Sequence, residues 1–493
     1  MSIVPDLVKL STIPVNMEQN IETDLIETST FQEATTTNTG FARFDLQQKG
    51  FLHSMSKLFV GLVPGAGGAG SGFLPVNIGI GSVIDRAVLK VGNQVLNEIS
   101  DWNHLHMIKS LQIDNENNLE REQYTTGRIM NHKFSYSRVD GANGNIQDFP
   151  QSPDYVLDNG REYDGGQQAA ISTTEGRNGQ IKPFALMDNS TAATIAQSPV
   201  YSVDLSDLFP FLKTHSLPLY MIDEQLSIEL YWSPTVGQRV CVGGGQVNTA
   251  PFIIDRNELK FAADYIYYMG DAMDRYSAAN PVIEFAFPDY RLSKTTMTQA
   301  QLLLGQVRNV GMANRLVSRV LTTISNDAAG GVTLMNKYNS IYPTRASATQ
   351  AAGSVVYNLR YNDRFEFPIN LTNPAQLFTH FTQSESIPFV TREEYSRQQQ
   401  GLSAVQTFQN HLQDNAAGIL TGLSGNSFVL GTKLTGGRVG IRGIELHLTM
   451  GDAVNGAMPD PTGGGNTLYT VRSYCEYMRL ARLSGGRFSV FNA

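Results

Sequence analysis

A glycine-rich stretch is the first feature of this sequence whose residue types and spacing could support chemistry. Residues Gly65 to Gly70 read G-A-G-G-A-G and match G-x-G-x-x-G, the loop that binds the pyrophosphate of a dinucleotide. That site requires a helix directly after the loop, so that the helix N-terminus meets the phosphates. Here SGFLPVNIGIGSV follows, which predicts a loop and a strand. We therefore interpret the stretch as a flexible loop. The phosphate-binding pattern G-x-x-x-x-G-K-[ST] of an ATPase does not occur.

A second group of candidates is Asp101 with His104 and His106, which together suggest a metal site. Residues two apart on a helix point in different directions, so the two histidines cannot converge on one ion without distortion. The other histidines are scattered, and neither Cys241 nor Cys475 is part of a C-x-x-C pair. The sequence therefore predicts no metal and no other cofactor.

Acidic pairs and aromatic side chains could serve a hydrolase or a sugar-binding protein. The carboxylates of Asp223-Glu224 and Glu393-Glu394 are adjacent in sequence, which does not place two of them across a cleft. No G-x-S-x-G nucleophile elbow occurs. The tyrosines at 265, 267 and 268 could stack on sugars, but strand packing or a subunit contact is the favoured interpretation. We predict no catalytic residues and no enzymatic activity.

Composition describes a globular protein that folds in water. The chain has 493 residues, of which 41% are hydrophobic and 17% charged, enough for two to four domains. Its 45 glycines and 20 prolines are typical of short strands joined by turns. Two cysteines do not form a disulfide framework, and whether they pair is left open. No secretory signal and no apolar run long enough to span a membrane is found.

Net charge argues against a main role in binding nucleic acid. The chain carries −8, which gives no general attraction for phosphates. Only the C-terminal region is basic, where Arg472, Arg479, Arg482 and Arg487 are accompanied by Glu476 alone. Such clusters usually pair with acids elsewhere in the protein, and we expect that here.

One arrangement of elements occurs twice, about 270 residues apart. Residues 83–99 and 354–370 each predict a hairpin, with two-residue turns at Gly92-Asn93 and Asn362-Asp363 that tolerate positive φ. A short helix follows each hairpin. The predicted start signals are Ser100 and Asp101 for the first helix, and Asn373 with Pro374 for the second. The apolar residues at helical spacing are Trp102, Leu105 and Ile108, then Leu377, Phe378 and Phe381.

The order of elements predicts an all-β protein with two similar halves. We expect an extended N-terminal arm over 1–40, one β-domain over 41–272 and another over 273–493, with polar insertions at about 112–198 and 392–437. Strands at short intervals with few crossover helices indicate antiparallel sandwiches. Eight strands per half would form two tandem jelly rolls, each closing its own core.

Several motifs resemble the double jelly-roll major capsid proteins of large eukaryotic DNA viruses, polinton-like viruses and virophages. SLPLYMIDEQLSIELYW at 216–232 is similar to a segment in which Leu-Pro-Leu precedes an alternating strand. Residues 263–287 resemble the junction between their two jelly rolls, including Arg275. Further segments resemble parts of the family's sequences and occur in the same order along the chain. They are the Asp101-Trp102 pair, NLRYNDRFEF and the ending YMRLARLSGGRFSVFNA.

The resemblance implies a structural protein of the virion. It implies a homotrimer of pseudo-hexagonal outline that tiles an icosahedral capsid around DNA, in contact with neighbouring capsomers and with minor capsid and penton proteins. The alternative is a glycan-binding attachment protein built from paired β-sandwiches. Exposed aromatic residues and a monomeric state would favour that alternative.

Overall fold

We describe the protein from a computed structural model. It describes residues 19–34, 38–64, 72–73, 78–113, 121–122, 125–127, 137–139, 146–148, 200–233, 241–242, 246–247, 252–268, 271–325, 355–372, 374–384, 429–434, 437–452, 456–457 and 466–492. The glycine stretch 65–70, Glu393-Glu394 and most of both predicted polar insertions lie outside these residues.

The first half of the chain contains eighteen strands within the described residues. They are β1 Gln19–Glu27, β2 Thr30–Gln32, β3 Gly40–Asp45, β4 Phe51–Leu52, β5 Lys57–Val60, β6 Leu62–Pro64, β7 Gly72–Phe73, β8 Ile84–Val91, β9 Gln94–Ser100, β10 Ser137–Val139, β11 Ile146–Asp148, β12 Tyr201–Asp204, β13 Leu217–Pro218, β14 Leu226–Trp232, β15 Cys241–Val242, β16 Gln246–Val247, β17 Phe252–Ile254 and β18 Lys260–Tyr268. The helices are α1 Trp102–Ile113, α2 Leu205–Leu208 and α3 Pro210–Thr214, with short 3-10 turns at Gly79–Val83 and Leu219–Met221.

The second half contains the remaining elements. They are α4 Ala272–Ala279, β19 Val282–Thr298, α5 Gln299–Leu304, β20 Gln306–Gly311, β21 Val317–Ser325, β22 Val355–Tyr361, β23 Arg364–Phe365, α6 Pro374–Ser384, β24 Leu430–Lys433, β25 Ile444–Asp452, β26 Gly456–Ala457, β27 Leu468–Ser484 and β28 Arg487–Asn492.

Each half is a sandwich of two large antiparallel sheets. In the first half, one sheet has the order β12-β5-β18-β4-β13 with β1 paired to β18, and the other has the order β2-β3-β14-β8-β9. In the second half the orders are β19-β27-β21-β24, with β28 on β27, and β20-β25-β22-β23, with β26 on β25. The all-β, two-sandwich prediction is confirmed. The prediction of eight strands per half is not confirmed, because the large sheets contain six and five strands, then five and five.

Both predicted hairpins form with the expected two-residue turns. Asn362 and Asp363 have φ of 52° and 59°, and Gly92 has φ of 55°, the backbone conformation that two-residue hairpin turns require. The strands β8 and β9 meet at the pair Val91–Gln94, and β22 and β23 meet at Tyr361–Arg364. A helix follows each hairpin, as the sequence indicates.

The hydrophobic core consists of two clusters of unequal extent. The smaller cluster draws all its buried residues from the second half, between Met297 and Tyr477. The larger cluster fills the first sandwich but also includes residues of the second half, from Ile283 to Phe488. Buried residues of both halves therefore contribute to the larger cluster, whereas the smaller cluster contains residues of the second half alone. The part of the β19–β27–β28 ribbon around Ile283 and Phe488 covers the side of the first sandwich and extends its core.

The two sandwiches lie side by side with the same polarity. Asn97 on β9 contacts Asp289, Asp101 directly after β9 contacts Arg472, and Asp223 near the β8–β9 turn bonds to Gly486. The turns of both hairpins therefore lie at one end of the molecule, which we call the turn end. The connections β14–β17, β21–β22 and β25–β27 begin and end at the opposite end, which we call the insertion end.

The segment predicted as an N-terminal arm is part of the first sandwich from residue 19 onward. All nine residues of β1 pair with β18, and β2 pairs with β3 in the other sheet. The sheets of the first half end at Tyr268 and those of the second begin at Val282, with α4 between them. The domain division at 272/273 stays a prediction. Among the described helices, none is long and apolar enough to cross a membrane.

Candidate functional site

The side chains that suggested a metal site have structural roles. The ring of His106 stacks on Trp102 with centroids 4.5 Å apart and an angle of 12° between the planes. His104 is buried in α1, and its backbone N–H bonds to the Asn103 side chain. Across the described part of the chain, no three His, Cys, Asp or Glu side chains are grouped so as to hold a metal ion.

The acidic pair and the tyrosines also lie within packing contacts. The Asp223 N–H bonds to the carbonyl of Gly486, and a Cβ placed on Gly92 would meet the Glu224 carboxylate, so both acids sit against turns. Tyr265 is buried, and its hydroxyl accepts a hydrogen bond from the backbone N–H of Gln47. Tyr268 is partly buried and packs edge-on against Phe51 with centroids 5.6 Å apart. Tyr265 and Tyr268 therefore take part in packing, which the sequence favoured, and Tyr267 between them is also partly buried.

A connected arrangement of aromatic, charged and hydrogen-bonding side chains lies at the junction between the two sandwiches. Its apolar part joins α3 of the first half to the first residues of β19. Phe211 packs against Phe287 with centroids 4.6 Å apart, and against Phe285 at 5.9 Å. Phe285 in turn lies 6.1 Å from Phe488 on β28. Full burial of an aromatic side chain contributes about 1.5–3 kcal/mol, so this cluster holds the halves together.

A buried ion pair forms the middle of the junction. Asp289 accepts a hydrogen bond from Arg479 Nη1 at 2.7 Å and from the Tyr477 hydroxyl at 3.1 Å. Its other oxygen accepts from the Asn97 side chain of the first half at 2.8 Å. Arg479 also donates to the carbonyl of Leu96 at 3.2 Å. Burial raises the pKa of Asp289 although Arg479 opposes this shift.

A second ion pair lies nearer the insertion end. Asp101, directly before α1, accepts hydrogen bonds from Arg472 Nε at 2.8 Å and Lys294 Nζ at 2.9 Å. Its carbonyl accepts from the Tyr474 hydroxyl at 2.8 Å. Burial alone would raise the pKa of Asp101, but Arg472 and Lys294 outweigh burial and lower it. Asp101 therefore does more than begin the helix, since its carboxylate joins the two halves of the chain.

A third cluster lies on β27 beside the junction. Arg319 Nε donates to Glu476 Oε2 at 2.8 Å, and the Tyr290 hydroxyl donates to the same oxygen. Lys109 of α1 lies 5.4 Å from the centre of the Tyr290 ring, which brings a cation from the first half to this cluster. Burial opposes the charge of Glu476, but Arg319 overcomes it and lowers the pKa of this carboxyl.

The basic C-terminal region largely supplies these pairs. Arg472 and Arg479 bind Asp101 and Asp289, and Arg482 binds Glu284. The expectation that the arginines pair with acids is therefore confirmed for three of the four. The sequence did not identify their partners, because these lie 190 or more positions away along the chain. Cys475 carries a free, fully buried thiol.

Comparisons with known proteins find similar structures but no matching sequence. No family model and no curated protein sequence matches the chain. The crystal structure of VP54 of the virus PBCV-1, which was fitted into a reconstruction of the virophage Sputnik, matches with a TM-score of 0.51 at 10% identity, covering 98% of each chain. The mavirus major capsid protein matches at 0.48 and 10%, covering 97% of this chain and 91% of its own. The Sputnik virophage structure matches at 0.48 and 9%, covering 97% and 90%.

The likeness to VP54 over the whole chain establishes the fold. The protein is a double jelly roll, the fold of the capsid proteins that the sequence motifs resemble. The resemblance found in the sequence is thus confirmed at the level of the fold.

Proposed function

We propose that this protein is the major structural subunit of a virus capsid and has no catalytic activity. Three copies would form a ring of six jelly rolls, and such pseudo-hexagonal capsomers would tile an icosahedral shell around DNA in the virion. The observation that carries the proposal is the junction, since buried ion pairs and aromatic contacts join two sandwiches of the same polarity into one block.

The distribution of the connections supports this role. A capsid subunit has one face on the outside of the shell and another face toward its interior. Three long connections, β14–β17, β21–β22 and β25–β27, meet the sandwiches at the insertion end, while both hairpin turns lie at the turn end. We assign the insertion end to the outside of the shell, because loops tolerate variation there without disturbing the sheets.

Partners follow from this arrangement. Each subunit would bind two other copies within a capsomer through large, obligate interfaces, and neighbouring capsomers through smaller ones. Minor capsid and penton proteins would contact the turn end and the vertices. Assembly would take place inside the host cell.

Purified protein tests the proposal directly. Light scattering should give a particle of about three times the 54.1-kDa chain mass, and electron microscopy should show rings of six densities that assemble into shells. A protein that stays monomeric and forms no shells under conditions in which virions are stable would contradict the proposal.

A further inference from the structure

Three connections at the turn end of the second sandwich are joined to one another by hydrogen bonds. They are residues 312–316 between β20 and β21, 362–363 between β22 and β23, and 437–443 before β25. The backbone N–H of Asn314 donates to the carbonyl of Val439 at 3.0 Å. The Asn362 side chain donates to the carbonyl of Arg438 at 3.2 Å and accepts from the backbone N–H of Gly440. The three connections therefore form one continuous surface.

Exposed arginines surround an exposed isoleucine on this surface. Ile441 is 84% exposed, with Arg438 and Arg442 on either side of it in the sequence. Arg364, directly after the β22–β23 turn, is exposed as well. Within the part of the chain that the structure describes, neither Arg364 nor Arg438 has an ion-pair partner. We call Arg364, Arg438, Ile441 and Arg442 the basic turn surface.

Asp363 is the only acidic residue in the three connections, and it leaves the surface positive. Its carboxylate accepts from Arg442 Nη1 at 2.8 Å, but the two side chains are 66% and 76% exposed. An exposed ion pair contributes about 0–1 kcal/mol, so a carboxylate from another protein can compete with Asp363 for Arg442. Arg315 does not belong to the surface, because its guanidinium lies over the Tyr477 ring, 5.4 Å from the ring centre.

The turn end of the first sandwich carries the opposite charge. Asp223 and Glu224 lie in the connection between β13 and β14. The connection between β18 and β19 contains Asp271 and Asp274. Arg275 is the only basic residue in these two connections, and it pairs with Asp271. The two sandwiches are thus alike in fold but opposite in charge at the turn end.

This charge pattern fits a discrete acidic protein segment better than it fits a layer of phosphates. A lipid bilayer or packed DNA beneath a capsomer would meet the turn ends of all the sandwiches, and the acidic turn ends would repel it. A protein segment can contact the basic turn surface alone. Its carboxylates can pair with the arginines, and an apolar side chain between them can pack on Ile441.

We propose that the basic turn surface binds an acidic segment of another protein, in which carboxylates flank an apolar side chain. This inference rests on the proposed function and deepens it, because it gives a partner at the turn end its chemistry and its place. Only the second sandwich carries the surface, so a trimer offers three such sites around a ring of six sandwiches. A partner bound there distinguishes two orientations of the capsomer that differ by one sixth of a turn.

A synthetic peptide tests the surface on the purified protein. The probe is a fluorescein-labelled peptide of sequence Glu-Glu-Glu-Leu-Glu-Glu-Glu, and fluorescence anisotropy measures its binding. The double variant Arg438→Glu/Arg442→Glu should weaken binding by about tenfold or more, because repulsion replaces attraction. Added salt should weaken the binding of the wild type, since the contacts lie at the surface.

Arg275→Glu is the matched control. Arg275 lies at the turn end of the first sandwich, is 75% exposed against 76% for Arg442, and likewise pairs with an aspartate. This variant should bind the peptide as the wild type does. Since all the substituted arginines are exposed, the circular dichroism and the mass by light scattering should be those of the wild type in every variant.

A second substitution tests the apolar part of the contact. Ile441→Ser should weaken binding of the peptide about fourfold or more, because it removes the aliphatic side chain on which the leucine packs. It should not change the binding of a second peptide in which serine replaces the leucine.

Three results would overturn the inference. The first is peptide binding that the double variant keeps, and the second is an equal loss of binding in Arg275→Glu. The third is a surface that binds a short DNA duplex, or equimolar phosphatidylglycerol–phosphatidylcholine vesicles, through Arg438 and Arg442 while the peptide does not bind. A wild-type protein that stays monomeric but binds the peptide would contradict the proposed function alone, because each chain carries one complete surface.

Discussion

Asp101 and Arg472 are 371 positions apart in the sequence, yet the carboxylate Oδ2 of one lies 2.8 Å from the guanidinium Nε of the other. Arg472 is almost completely buried, and it also donates to the Ser325 hydroxyl at 2.6 Å. The pair connects the start of α1 in the first sandwich to β27 at the centre of the second. It therefore couples the stability of the two halves.

Removing the charge of Asp101 should destabilise the whole chain. Asp101→Asn removes the carboxylate that pairs with the buried Arg472 guanidinium, and breaking a buried pair in this way costs about 3–5 kcal/mol. Urea unfolding, followed by circular dichroism, measures the change. The control is Glu284→Gln, which breaks the exposed pair with Arg482 and should cost less than about 1 kcal/mol. Equal effects of the two substitutions would show that the Asp101 pair does not stabilise the junction.

Acid should weaken the junction through Asp101 and Glu476. The pKa of each is lowered in the folded protein, so the unfolded chain takes up protons at a higher pH than the folded one does. Their stabilisation is complete above the usual carboxyl values and is lost as pH falls through the lower folded values. The difference in unfolding free energy between wild type and Asp101→Asn should therefore stay constant above about pH 5 and shrink as the pH falls below that value.

Asp289 provides a contrast of opposite sign. Its pKa is raised by burial, so protonation favours the folded state and its contribution decreases as pH rises through the raised value. Asp289→Asn should thus become relatively less destabilising at higher pH, as judged by the same urea titrations. The same pH trend for Asp101→Asn and Asp289→Asn would contradict these assignments.

A charge in the second core should abolish folding of the second sandwich. Leu359 lies on β22 and is completely buried among the residues of the smaller core cluster. Leu359→Asp would bury an unpaired carboxylate, for which the protein offers no compensation, and soluble trimer should be lost. Leu359→Met keeps the volume and should cost less than about 1.5 kcal/mol. The yield of soluble protein and its mass by light scattering compare the two, and a normal trimer from Leu359→Asp would mean that the strand register is wrong.

Local patterns in the sequence were sufficient to predict the repeated unit. The alternation along Val355–Tyr361 and the turn at Asn362-Asp363 are decided by neighbouring residues, and the structure has both where the sequence indicates. The junction could not be predicted in this way. Its ion pairs depend on which distant strands become neighbours, and nothing near Arg472 in the sequence specifies Asp101.

The pairing of the N-terminal segment likewise could not be predicted from local sequence. Residues 1–40 are polar and lack sustained periodicity, which led to the prediction of an extended arm. The structure pairs all of β1 with β18, and Lys49 binds both Glu22 and Asp24 across this edge. The pairing partner is about 240 residues away, so local composition carries no sign of it.

The turn between β27 and β28 provides a test of the contact between the halves at the turn end. Gly485 and Gly486 both have positive φ, at 55° and 75°, but only a Cβ on Gly486 would meet a neighbour, the carboxylate of Asp223. Gly485→Ala should therefore cost about 1–2 kcal/mol from the backbone conformation alone, whereas Gly486→Ala should cost more, because Asp223 must also move. Thermal unfolding of the two variants gives the comparison. Adding Asp223→Ala to Gly486→Ala should restore the stability of Gly485→Ala, since it removes the clash and leaves the same backbone strain. If both alanine variants unfold at the same temperature, the turn does not pack against Asp223 and the two sandwiches do not meet there.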